Sequence, residues 1–197
     1  VTAALSPGCT RVHVSQRLER VFDACFARSE NTRLIGGAPE PEYIPAGEPG
    51  PGGPVGYHRL YYREDYFASA LHESAHWCIA GPGRRLLRDF GYWYAPDGRN
   101  PEQQAAFQQV EVAPQALEWC FARACGYPFR VSLDNLEGGE AARSQHATFC
   151  DQVTTAANTR VGRGMAPRAA RWFDALSAEF GTGVRLSDLL FRRDELA

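Results

Sequence analysis

No stretch of this 197-residue chain is apolar for long enough to cross a bilayer, and its first residues lack the charged-then-apolar pattern of a secretory signal. A soluble, cytoplasmic protein without a membrane partner is therefore expected. Charge of one sign is missing too. The formal net charge is −2, from 21 Lys and Arg against 23 Asp and Glu, so no phosphate-neutralising surface and no direct nucleic-acid binding are expected. The cysteines are Cys9, Cys25, Cys78, Cys120, Cys125 and Cys150, and no pair has the two-residue spacing of a zinc ribbon or redox site. They read as reduced, small groups in apolar or helical context. Internal repeats are absent, and the length suits one domain over residues 1–197.

What is present is His72-Glu73-Ser74-Ala75-His76, an HExxH motif. On a helix the two histidines stand one turn apart on one face, where two imidazoles can grip one metal ion. Phe67 to Leu71 gives helix-forming context before the motif, and Gly81-Pro82 closes the segment. Leu71, Ala75, Cys78 and Ile79 form an apolar stripe, which places the ion inside the domain. Glu73 lies beside a ligand, so it points to the side of the ion, where it can hold water or take a proton as a catalytic group.

Around this helix, residues 15–29 carry Leu18, Val21, Phe22, Cys25 and Phe26 on one side, with Ser15 as the N-cap. Residues 36–56 are dense in Pro and Gly and predict a loop, with at most a short extended piece at Tyr43-Ile44. Strands are expected at His58–Tyr62 and at Asp89–Tyr94. Residues 101–124 are helical in composition but contain Pro114, so the pattern fits two helices joined near Ala113 as well as one kinked helix. Further helices are expected at 141–159 and 167–180. The class is α+β, mainly helical with a small sheet around a metallopeptidase-like HExxH helix.

Two histidines leave a divalent site incomplete, and a carboxylate would offset the metal's charge. Asp89, Asp97, Glu102, Glu111 and Glu118 are the candidates. Glu111 ranks first, because a charge enclosed in Val-Glu-Val is costly unless paired or ligated. Asp89 follows, at the head of an aromatic-rich segment, while Glu118 fits a supporting partner of a ligand or a surface group. Tyr92, Trp93 and Tyr94 suit either the core or the wall of a slot for a long aliphatic side chain, which makes Asp89, Tyr92 and Tyr94 candidate substrate contacts.

Several blocks taken together resemble the elongation factor P hydroxylase family. They are Tyr66 to Gly81, Asp89 to Arg99, Val110-Glu111-Val112 with Pro114 to Trp119, and Gly126 to Phe129 with Asp134 to Gly138. The resemblance covers about residues 31–140 and implies hydroxylation of the lysine of elongation factor P that already carries a β-lysyl group. It implies a non-haem centre in which His72 and His76 match the histidine ligands and Glu111 matches the carboxylate ligand. The divalent metal implied is Fe2+, acting through oxygen activation with an electron donor that the sequence does not name. Because the family does not resemble the double-stranded barrel of 2-oxoglutarate oxygenases, 2-oxoglutarate is not expected as a cofactor.

Two other readings use the same residues. A zinc metallopeptidase would employ His72, His76, Glu111 and Glu73, and a purely structural metal would staple helices without chemistry. A protein substrate that is acidic would meet Arg84, Arg85 and Arg88, unless these form a solvated basic face.

Overall fold

The structure is a computed structural model, and it describes residues 12–91, 101–133 and 140–196. Helix α1 spans Ser15–Phe26, strands β1, β2 and β3 span Thr32–Ala38, Glu42–Ile44 and His58–Arg63, and helix α2 spans Phe67–Ile79. Three longer-range elements follow: α3 at Pro101–Cys125, α4 at Glu140–Arg163 and α5 at Pro167–Glu179. The class is α+β, mainly helical with a three-stranded sheet in the order β1-β3-β2. The central strand β3 pairs parallel with β1, Leu34 opposite Leu60, and antiparallel with β2, Tyr43 opposite Leu60.

Burial follows sequence periodicity. The inner face of α1 places Leu18, Phe22 and Phe26 in the core, where Phe22 and Phe26 meet Trp77 of α2 and Trp172 of α5 ring to ring at centroid distances of 4.7–6.2 Å. Each such buried side chain contributes about 1.5–3 kcal/mol of apolar burial. Helix α1 packs on β1, α2 lies between β3 and α3, and α3 is wedged against α2, α4 and α5.

Several expectations change on contact with the structure. Val14 and not Ser15 is the N-cap of α1, and Ser15 is a buried first-turn residue. β1 runs through Gly36 and Gly37 to Ala38, into the segment expected as loop; the two glycines form an irregularity between the Ile35–Tyr61 and Ala38–Arg63 pairs, where the Gly36 amide donates to Glu19 and the Gly37 amide to the Glu64 carbonyl. The rest of that loop winds around Arg59, only 1 % exposed, whose Nη1 donates to the carbonyls of Pro51 and Gly53 and whose Nη2 donates to that of Glu48. Gly50 is required there, since a Cβ would lie 2.8 Å from Arg59 Nη1 and 2.6 Å from Ile44 Cδ1.

A strand at residues 89–94 is corrected as well. Arg88–Gly91 is a short turn in which Asp89 and Phe90 take φ of 47° and 57°, left-handed values that no strand accommodates. Tyr92, Trp93, Tyr94 and Asp97 lie outside the described residues, as does the side chain of Glu102. Residues 101–125 form one helix with Pro114 inside it. The proline withdraws an N–H, but the turns that follow are so thoroughly buried, from Gln115 to Ala122, that packing outweighs the lost bond. Cys25, Cys78, Cys120, Cys125 and Cys150 are all free thiols, and Cys9 lies outside the described residues. Among the described residues no helix is long and apolar enough to cross a membrane.

Candidate metal centre

Helix α2 presents His72 and His76 one turn apart, and their Nε2 atoms lie 3.1 Å from each other. Across from them α3 brings Glu111, with Oε2 at 3.4 Å from His72 Nε2 and Oε1 at 3.3 Å from His76 Nε2. One donor atom from each of the three residues lies within 4.8 Å of the others, and no fourth His, Cys, Asp or Glu joins them among the described residues. An ion about 2.1 Å from each donor would set neighbouring donors roughly 3.0–3.4 Å apart. The observed spacing therefore fits a first-row divalent cation. Without a metal ion, the carboxylate at this range is offset by a proton on His72.

A second carboxylate stands behind the histidine. Glu118 Oε2 accepts a hydrogen bond from His72 Nδ1 at 2.8 Å, which places a proton on Nδ1 and turns Nε2 toward Glu111 and His76. Glu111, Gln115 and Glu118 are 4 %, 2 % and 8 % exposed and follow one another at helical spacing, forming a buried polar stripe down an otherwise apolar part of α3. Gln115 is held in turn by Ser132: its Nε2 donates to the Ser132 carbonyl at 2.7 Å, and its Oε1 accepts from the Ser132 amide at 3.0 Å.

The electrostatics are those of a site built for positive charge. Burial disfavours a charged His72, yet the hydrogen bond and charge of Glu118, with Glu111 and Glu73, outweigh it and push its pKa up from 6.5 to about 10. For Glu111 burial also opposes ionisation, but the His76 hydrogen bond and the two imidazoles prevail, holding it below the usual carboxylate range. Glu73 goes the other way. Burial pushes its carboxyl pKa up, against the pull of His72 and His76 and with the repulsion of Glu111 and Glu118. Its carboxyl makes no hydrogen bond among the described residues and stands close enough to His72, His76, Glu111 and Glu118 to feel the charge of each.

Asp89 is not part of this group. Its Oδ1 accepts the backbone N–H of Tyr43 at 2.8 Å, tying the left-handed turn to β2. The three arginines considered as partner contacts are also engaged within the chain. Arg85 pairs with Glu30 at 2.6 Å, Arg88 pairs with Glu42, and Arg84 donates to the Phe90 carbonyl at 3.0 Å. Arg168 carries a role that the sequence reading did not single out. From α5, its Nη2 reaches the carbonyls of Trp77, Cys78 and Ala80, the exit of α2 just past His76, and its guanidinium lies 4.7 Å from the Trp77 ring centroid. A lone arginine near a helix start gave no local signal of that contact.

Alongside the cluster a cleft of 530 Å³ opens between the end of α2 and the middle of α3, lined by His76, Ile79, Gly81, Gly83, Val110 and Pro114 among others. Ile79, expected in the apolar stripe of α2, is 40 % exposed and faces this cleft instead of the core.

Comparison with known proteins gives the same answer as the blocks of sequence. The family model described as elongation factor P hydroxylase matches residues 21–189. An elongation factor P lysine hydroxylase of Haemophilus influenzae is 42 % identical over 172 residues, covering 86 % of this chain and 91 % of the relative. With matches over nearly the whole described structure, including both histidines' helix and the Glu111 helix, the chain belongs to the elongation factor P hydroxylase family.

Proposed function

We propose that this chain hydroxylates the β-lysylated lysine of elongation factor P at an Fe2+ centre held by His72, His76 and Glu111. The observation that carries the reading is the convergence of those three donors from two helices, in a member of this family, with no fourth side-chain ligand among the described residues. A three-ligand set leaves coordination positions free for reactants, whereas a structural site is closed by four. Ferrous iron bound there supplies the oxygen activation that no amino-acid side chain provides.

The chain's own residues do the rest. Glu118 fixes the His72 ring and its tautomer through Nδ1, and Glu111 offsets metal charge within the buried cluster. Glu73, whose carboxyl is raised by burial, takes or returns a proton at its carboxylate beside the cluster. The HExxH helix resembles that of metallopeptidases, but no finding favours peptide hydrolysis, and the same helix serves oxidation when the metal is iron. We read the chain as a single hydroxylase domain working in the cytoplasm, where elongation factor P meets the ribosome.

The test is the intact mass of β-lysylated elongation factor P after incubation with the protein, Fe2+, air and a reductant. A gain of one oxygen atom that disappears in a metal-stripped control is expected. An unchanged mass with iron-loaded protein would overturn the reading, and a shortened substrate would replace it with a peptidase.

A further inference from the structure

The cleft beside His76 has walls whose character is not demanded by folding. Gly83 sits at φ −66° and ψ −38°, a right-handed conformation open to any residue, and a Cβ built on it would meet nothing within 4 Å. Gly81 has the same open space and no left-handed φ. Neither turn geometry nor close packing explains a glycine at either position, so what the two residues supply is room at the cleft. In the same lining, Ile79 and Val110 are 40 % and 36 % exposed, two branched aliphatic side chains turned to the cleft and not to the core.

The polar surroundings are as selective as the apolar ones. No carboxylate lines the cleft among the described residues, and its charged or ionisable residues are His76 and Arg84. Arg84 has a nitrogen committed to the Phe90 carbonyl. The carbonyls that end α2 are taken by Arg168, whereas Pro114 offers no N–H to the Val110 carbonyl four residues before it. A ligand suited to this lining is long, unbranched and aliphatic, with an amine donor for the Val110 carbonyl. The cleft volume of 530 Å³ falls within the usual range for small-molecule sites, and one wall is the histidine of the metal cluster itself.

We propose that the extended lysyl side chain of the substrate lies in this cleft, its methylenes against Ile79 and Val110, with Gly81 and Gly83 kept bare to admit it. The inference rests on the hydroxylase reading and adds the residues that determine specificity. The aliphatic walls hold the carbon chain beside His76, and a bare backbone at Gly83 lets the substrate's own backbone approach.

Gly83→Leu and, independently, Val110→Trp test it, with Gly56→Leu as the control in the Pro/Gly loop, where a Cβ likewise meets nothing within 4 Å. Bound iron per chain and melting temperature are measured first for every variant. Both cleft variants are expected to retain metal and fold, to raise KM for β-lysylated elongation factor P about tenfold or more, and to leave kcat less affected, whereas Gly56→Leu keeps the wild-type KM. Wild-type KM in both cleft variants would overturn the proposal. Calorimetric binding of the same substrate to protein loaded with redox-silent Zn2+ separates the two readings. If the wild type binds but adds no oxygen in the iron assay, the hydroxylase reading fails, and the cleft stands or falls on whether Gly83→Leu and Val110→Trp weaken that binding.

Discussion

Two buried polar sites in this molecule are built on opposite principles. Arg59, in the central strand, is surrounded by complementary partners: three carbonyls of the Pro/Gly loop accept from its two terminal nitrogens, and only Nε goes without. The cluster on α2 and α3 instead crowds two imidazole nitrogens and a carboxylate within 3.1–3.4 Å, and without a metal it is held together by the proton on His72. A charge buried for structure is satisfied by its own chain, and folding improves with it. A charge buried for chemistry is balanced by what comes from outside, a proton or a metal ion, and folding must leave room for the exchange.

The sharpest way to break the contrast is Glu111→Gln. Removing the anionic ligand is expected to reduce bound metal to near zero and abolish hydroxylation, while the metal-free protein melts only slightly below the wild-type temperature, because the protonated His72 loses one of the carboxylates facing it and keeps Glu118; metal analysis and calorimetry read both. Arg59→Met should do the reverse. Stability falls by about 2–3 kcal/mol as the loop carbonyls lose a charged donor, measured by urea unfolding, and metal affinity stays at the wild-type value. Glu118→Gln lies between the two, since it keeps the fold and the ligands but loosens the His72 ring; metal affinity should drop roughly 10–100-fold in a competition titration with a chelator.

The smallest effect is one of pH. With its pKa raised from 6.5 to about 10, His72 in the metal-free protein carries a proton that stabilises the fold; that contribution is complete below 6.5 and is lost as pH rises through about 10. Metal displaces the same proton, so binding at neutral pH should release protons and tighten as pH increases. Titrations in buffers of different ionisation enthalpy count them, and an absence of release would show that His72 is neutral before the metal binds.

Legibility in the sequence divided along the same line. His72 and His76 could be read because helical periodicity is local, and Glu111 because a carboxylate between two valines is anomalous in one dimension. Glu118 was only half legible. Its spacing from Glu111 puts both on one face of α3, yet the pairing with His72 depends on how α2 and α3 cross. What stayed hidden was set by distant partners. Gly36 and Gly37 read as loop but bridge two paired stretches of β1, held by Glu19 of α1 and the Glu64 carbonyl, and Asp89 and Phe90 read as strand but turn back because the Tyr43 amide claims the Asp89 carboxylate. Ile79 belonged to the apolar pattern of α2 and still faces the cleft, since an apolar stripe does not say which of its edges meets the core and which meets a ligand.

The grip of Arg168 on the end of α2 spans 88 to 91 positions of chain. Such a contact carries the entropy of closing a long loop before the bond can reward it. A growing chain therefore exposes both histidines and Glu111 well before the residue that secures their helix has been synthesised. Until α5 docks, the exit of α2 lacks the cap that Arg168 gives it, so the helix that carries the two histidines is complete only when the chain has been made past residue 168.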